Sequence, residues 1–548
     1  MLKKNKINII LSLAVSILLF LFAPMELYLS NKDFFFFDGK EVLNYTILMA
    51  CAFFVLLLFS LCFINRLVQT GWKYTIGILF CFYILLYFQG NFWLVNYGSL
   101  DGEAIDWSKY STEGIIDVLI WIGVLILGIL LIHKLNWAKC EKIISYVCVC
   151  IILIQCVTII SLFVGEGGFN KEPKYLSTNE YEFDYSQEEN LIVIMLDSFD
   201  ASVMTELLEG EDREKYSDIL ADFAFYPDTT GMYSYTALAV PYILTGKEYL
   251  NETTYGEWLE QAYEQSPLLS SLREEGWRVG IYNTTLLPQK DTSIQAENVK
   301  LVHNSVSSHK RLLQYYYKLI AYRYSPQPLK RFFWFYADEI STELQDNEEG
   351  VELFSEDNFV FRRNYLNGIK NDSTIPTFRF YSLFGAHQPY HTTEVFEYSD
   401  EETDVYQTSK GVLKMIDEYL DALRETGVYD NSNIVILADH GIINRFNPLF
   451  MVKYAGTSGK MEVSDIPFSY AALQNVLVGL VDGNTKEETE SIIIDCVPKD
   501  RTFLYYSHNT GEGYDNYFDT IERFIIKGDV RSGENIVSSG TTYYKKDN

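Results

Sequence analysis

Apolar residues crowd into five runs within the first 165 positions, at 7–28, 45–64, 74–88, 115–132 and 143–164. A helix needs roughly 20 apolar residues to cross a bilayer, so these runs predict five membrane helices. The third is short and reaches that length only by extending toward Val95. No small-residue cleavage site follows the first run, where Pro24-Met25-Glu26 stand instead, which argues for an anchor over a cleaved leader. Residues 166–190 hold Gly, Pro, Glu and Ser with no apolar period and read as a linker. From Leu191 the pattern changes. Short apolar runs at 191–197, 278–283, 378–384 and 433–439 alternate with amphipathic stretches at 266–275 and 411–425. That alternation predicts an α/β domain with a mostly parallel central sheet over 191–548, behind a transmembrane domain over 1–165.

Loop charges orient the anchor. Lys3, Lys4 and Lys6 precede the first run, Arg66 and Lys73 follow the second, and Lys134, Lys139 and Lys142 follow the fourth. The other loops carry Asp33, Asp38 and Glu41, then Asp101, Glu103 and Asp106. Positive residues favour the cytoplasmic side, so the N-terminus is expected inside and the α/β domain outside, at the cell envelope. The first part is nearly balanced in charge, which leaves most of the net −29 to the later domain. Such a surface excludes nucleic acid as a partner, because phosphate backbones call for Lys and Arg. Seven of the eight cysteines lie in or beside the apolar runs and only Cys496 in the later domain, so that domain cannot hold an internal disulfide. Zinc-type cysteine spacing is absent. The 41 Tyr and 36 Phe suit core packing as well as sugar or lipid contact. One stretch, 309–344, is dense in aromatics and bases. It suits a membrane-surface helix, a cover over an acceptor groove, or a helical pair on the sheet.

Candidate chemistry sits at strand ends, where open α/β sheets bind their ligands. Asp197 closes the run LIVIMLD and Asp439 closes NIVILAD, with His440 and Gly441 directly after. A cap on a helix or turn is the lesser alternative for either Asp. Five pieces now stand in order: IMLDSFD, YTALAVPYILTG, FGAHQPYH, ADHG, and NPLFMVKYAG followed by SDIPFSYAALQNVL. Together, over about 191–481, they resemble the sulfatase-like branch of the alkaline phosphatase superfamily. With five preceding spans the chain looks like the lipoteichoic acid synthases and phosphoethanolamine transferases of that branch.

The resemblance implies one divalent cation held by Asp197, Thr236, Asp439 and His440, with manganese favoured and zinc or magnesium as alternatives. Counting back from Leu244-Thr245-Gly246, Thr236 fills the position of the sulfatase Cys or Ser, while Leu238 and Val240 replace the Pro and Arg of that signature. Threonine cannot mature to formylglycine, so a strict sulfatase is not expected. The order Thr-Ala-x-x-x-Pro instead resembles the phosphoethanolamine transferases, whose threonine carries the phosphoryl group. Thr236 could also cap the helix that follows. His387 matches a family histidine near substrate or leaving group. His391 and His508 are further substrate-contact candidates. Two departures stand out: the family transferases carry Glu where Asp197 stands, and the periplasmic ones hold disulfides. The implied activity is transfer of phosphoglycerol or phosphoethanolamine from a membrane lipid donor to an envelope glycan, teichoic acid or lipid. An ester hydrolase on the same site is the alternative, and an inactive sensor or scaffold is the alternative of another class.

Overall fold

A computed structural model describes residues 5–32, 35, 37–93, 95, 97, 105–169, 174–284, 287–288, 296–302, 305–334, 345–346, 352–507 and 516–545. The chain forms two compact units, Met1–Pro173 with His303–Glu348, and Lys174–Val302 with Glu349–Asn548.

In the first unit, five helices are long and apolar enough to cross a membrane: α1 (Lys6–Leu29), α2 (Gly39–Leu67), α3 (Gln69–Asn91), α4 (Trp107–Lys134) and α5 (Trp137–Gly165). They fall on the five apolar runs. The helix α1 runs on through Pro24 because a π-helical turn, Leu18–Phe22, comes just before it and restarts the hydrogen-bond register. A proline at the start of a new register loses no bond it would have made. Leu48, Phe59, Leu119 and Leu153 remain exposed, as side chains facing lipid do.

The basic–aromatic stretch also belongs to this unit. A helix at His309–Tyr324 buries Leu312, Tyr316, Ile320 and Tyr324, one face at a spacing of four, in the same apolar cluster as α1 and α3. The Tyr316 hydroxyl donates to the Pro24 carbonyl, and Arg323 Nε donates to the Gly90 carbonyl at 2.9 Å. Of the three sequence readings, packing on the sheet is therefore set aside. Residues 335–344 lie outside the described residues.

The second unit is built on a seven-stranded sheet: β1 (Asn190–Leu196), β2 (Phe223–Phe225), β3 (Arg278–Tyr282), β4 (Thr377–Leu383), β5 (Ser432–Leu437), β6 (Phe450–Lys453) and β7 (Glu462–Val463). Their spatial order is β7-β2-β6-β5-β1-β4-β3. Strands β5, β1, β4 and β3 are parallel, whereas β6 runs antiparallel to both β5 and β2. The unbroken apolar run of β1 has a direct cause. Leu191, Val193 and Met195 enter one core cluster, and Ile192, Ile194 and Leu196 enter another on the opposite face. A central parallel strand buried on both faces has no polar side to show.

Two boundaries differ from the sequence reading. The expected linker already pairs with the second unit: Lys174–Ser177 runs antiparallel to Val299–Val302, and Asp184–Ser186 parallel to Lys370–Ser373. Phe183 and Tyr185 anchor it in the core, two aromatics being too few to register as a period. The helix expected from Gly411 begins at Val405, because the Asp404 side chain accepts the Gln407 N–H at 2.8 Å. The tail forms an antiparallel sheet of its own, β8 (Arg501–Tyr506), β9 (Thr520–Ile526) and β10 (Ile536–Tyr544).

Candidate active site

Asp197 follows the last residue of β1, and Asp439 and His440 follow β5 by one and two residues beyond Ala438, so the parallel pairing of β1 with β5 brings them together. One ligand atom from each of the three lies within 4.8 Å of the others. His440 Nε2 is 3.5 Å from Asp439 Oδ2 and 4.0 Å from Asp197 Oδ1. His440 Nδ1 is 2.9 Å from the Gly441 carbonyl, an acceptor, so Nδ1 carries the proton and the Nε2 lone pair faces the carboxylates.

Asp439 is fully buried. Its Oδ1 accepts the N–H groups of Ser198, at 3.1 Å, and His440, at 2.8 Å, while its Oδ2 is buried and, among the described residues, within hydrogen-bond geometry of no donor. Burial pushes its carboxyl up from the usual range, and the nearby Asp197 adds to the shift. An orphaned carboxylate oxygen, a second carboxylate and an imidazole lone pair converging within a few ångströms make the donor set of a divalent cation site. The residues fit the ion.

Thr236 is the first residue of the helix Thr236–Thr245. Its hydroxyl does not cap that helix. It donates to Asp197 Oδ2 at 3.3 Å, which turns it toward the carboxylate cluster. The cap comes from the tail instead: the Tyr506 hydroxyl accepts the Leu238 N–H at 3.2 Å and donates to the Tyr235 carbonyl at 2.9 Å. The helix N-terminus, with its partial positive charge, thus starts at the hydroxyl expected to meet an anion.

The loop after β4 locks against Asp197 by its backbone. The Asp197 N–H donates to the Leu383 carbonyl at 3.0 Å, and the Ala386 N–H donates to the Asp197 carbonyl at 2.9 Å. Gly385 between them has φ +57°, and a Cβ there would lie 2.5 Å from the Asp197 nitrogen, so no other residue fits. Asn358 clamps this glycine from both sides, accepting its N–H at 3.0 Å and donating to its carbonyl at 2.9 Å. His387, half-buried, follows directly in this loop. His391 is held in a turn, its Nδ1 2.9 Å from the Ser399 carbonyl and its ring against Tyr398. His508 lies outside the described residues.

Sequence reasoning missed several supporting groups. Asp200, fully buried, accepts the N–H groups of Ile442, Ile443 and Asn444 at 2.8–2.9 Å and fixes the loop after His440. Its place three residues after Asp197 was the only signal. Arg445 donates to the Ser234 carbonyl at 3.1 Å and lays its guanidinium 4.2 Å from the centre of the Tyr235 ring. Its Nη1 is 3.5 Å from His440 Nδ1, and among the described residues no carboxylate pairs with it. Tyr506, in the C-terminal strand β8, gave no sign at all.

Residues 189–445 match the family model described as Sulfatase. With the strand-end carboxylates and His440 in place, the second unit holds a sulfatase-like α/β domain, in a chain that also has five helices long and apolar enough to cross a membrane. Its Asp197, Asp439 and His440 form a possible metal site. Among solved structures, the chain is similar to Ps i-CgsB in complex with k-i-k-neocarrahexaose, at 12% identity and a TM-score of 0.40, covering 62% of this chain and 82% of that one. The phosphonate monoester hydrolase SpPMH from Silicibacter pomeroyi gives 12% identity and a TM-score of 0.34 over 62% and 85%. A protein in the alkaline phosphatase superfamily from Vibrio parahaemolyticus gives 11% identity and 0.34 over 69% and 85%. No curated protein matches the sequence.

Proposed function

We propose that the chain is a membrane-bound phosphotransferase that moves a phospho-alcohol head group, phosphoglycerol first and phosphoethanolamine second, from a lipid to an envelope glycan, polymer or lipid. The observation that carries this reading is the Thr236 hydroxyl, free of any capping role and hydrogen-bonded to Asp197 beside the orphaned oxygen of Asp439. Asp197, Thr236, Asp439 and His440 would hold the cation, with manganese as the first choice. When bound, the ion supplies Lewis-acid polarisation of the ester and lowers the pKa of the attacking hydroxyl.

The residues then share the work. Thr236 Oγ forms a bond to phosphorus while its proton passes to Asp197 Oδ2, the acceptor of its hydrogen bond. The bond from phosphorus to the lipid alcohol breaks, and His387 protonates the departing oxygen. In the second half the acceptor hydroxyl attacks phosphorus and gives its proton to His387, and Thr236 leaves with the proton held by Asp197. The unpaired Arg445 offers the counter-charge that Val240 cannot. The loop charges favour an orientation with the catalytic unit outside the membrane.

The test is incubation of the full-length protein and manganese with head-group-labelled phosphatidylglycerol, acid quenching and mass spectrometry. A phosphoglycerol adduct on the Thr236 peptide, absent in Thr236→Ala, is the expected result. No adduct in the unmutated protein would sink the proposal. Products formed with and without an acceptor alcohol separate the transferase from a hydrolase.

A further inference from the structure

At the Ser111 end of α4, the membrane unit opens into a groove of about 360 Å³ between that helix and the short helix Gln327–Lys330. Its wall and its rim differ in chemistry. Ile115, Val118 and Leu119 form the wall, one face of α4, and are 63%, 37% and 62% exposed, as befits side chains that meet acyl chains. The rim is made of groups that donate hydrogen bonds: Trp107, Ser111, Gln327 and Arg331.

Two of these groups lack partners. Arg331 is exposed, its guanidinium lies 4.9 Å from the centre of the Phe332 ring, and among the described residues no carboxylate pairs with it. Gln327 is only 4% exposed, and its backbone N–H is taken by Asp117 Oδ2 at 2.6 Å. Its side-chain amide lines the groove and makes no hydrogen bond among the described residues. Gly114 leaves the space for that amide, since a Cβ there would lie 2.4 Å from Gln327 Oε1. The Gln327 amide thus faces the groove with its hydrogen-bonding capacity free for something polar that enters from the lipid side.

We infer that this groove binds an anionic glycerophospholipid. Its phosphate sits at Arg331, its glycerol region meets the Gln327 amide and the Ser111 hydroxyl, and one acyl chain lies along Ile115, Val118 and Leu119. Charge complementarity selects this occupant over a zwitterionic lipid: a lone guanidinium with aromatic neighbours at the end of a membrane helix suits a net negative head group. The volume matches the lower range of ordinary ligand sites, roughly 300–1,000 Å³. The leaflet follows from the orientation proposed above, but the site itself does not depend on the transferase reading. The bound lipid would bridge α4 to the insert and hold Gln327–Lys330 in place.

The experiment is native mass spectrometry of the full-length protein in mild detergent with equal amounts of phosphatidylglycerol and phosphatidylcholine. One retained lipid is expected, with phosphatidylglycerol preferred at least tenfold. Arg331→Gln should bring that ratio close to one, and Leu119→Trp, which fills the groove without changing charge, should lower retention of both lipids. Both positions are exposed, and melting temperatures check that the variants fold. Lys109→Gln, a change at an exposed cation beside the groove, should leave the ratio unaltered. Thr236→Ala should retain the preference, which separates this site from the catalytic one. Equal retention of the two lipids by the unmutated protein, an unchanged ratio in Arg331→Gln, or loss of the lipid in Thr236→Ala would overturn the inference.

Discussion

Glu182 is 5% exposed, with one oxygen accepting from Asn364 Nδ2 at 3.1 Å and the other buried without a partner. Burial pushes its carboxyl from 4.5 up to about 8. The folded chain therefore keeps this proton to about pH 8, while the unfolded chain releases it near 4.5. The stability it carries is complete below the lower value and lost as pH rises through the higher one, on the order of 5 kcal/mol. Glu182→Gln keeps the shape without the titration. Melting temperatures of the two proteins should coincide near the acid end of that window and diverge toward its upper end, with the variant higher. Parallel curves would refute the assignment. At this scale the sequence was uneven as a guide. Asp197, Asp439 and His440 stood out because a carboxylate after an apolar strand has few other uses there. Glu182 and Asp200 did not, because what makes them special is burial by segments remote in the chain.

The helix Thr236–Thr245 shows what an element owes to a distant one. Its N-terminal N–H groups need an acceptor, and the residue before it, Tyr235, has no side chain able to cap. Strand β8 supplies the Tyr506 hydroxyl, and the Ser234 hydroxyl ties the two segments again, donating to the Tyr506 carbonyl at 2.9 Å and accepting the Tyr506 N–H at 3.0 Å. Tyr506→Phe removes the acceptor of the Leu238 N–H and should lower stability by about 1–2 kcal/mol. Its effect on turnover should be larger than that loss alone implies, on the order of tenfold in kcat, because the hydroxyl of Thr236 is aimed by the start of this helix. Thermal melts and adduct-formation rates on the same preparations compare the two; a rate equal to the parent's would show that the cap does not aim Thr236. Four of the seven strands of the sheet, β1, β3, β4 and β5, were legible from their apolar runs. The pairing of Lys174–Ser177 and Asp184–Ser186 was not, since a short edge strand buries too few residues to leave a pattern.

On the scale of the molecule, the chain enters the membrane unit a second time. It passes from one unit to the other at 173–174, 302–303 and 348–349, so the segment His303–Glu348 belongs with α1–α5 although it lies between pieces of the catalytic domain. Hydropathy alone could not assign it, because the His309–Tyr324 helix is amphipathic and polar enough to suit several partners. What fixes it is a pair of buried charges. Arg323 Nη2 donates to Glu26 Oε1 at 2.9 Å and Nη1 lies 2.8 Å from Oε2, with the two side chains 20% and 12% exposed. Breaking one side of such a pair leaves a charge without compensation, which costs about 3–5 kcal/mol, whereas replacing both by apolar groups is often close to neutral. Glu26→Gln and Arg323→Met should therefore each loosen the insert, seen as faster cleavage within 303–348 by a protease in detergent. The double variant Glu26→Leu with Arg323→Met should regain much of the resistance, and losses that simply add in the double variant would show that the two charges do not hold the insert together.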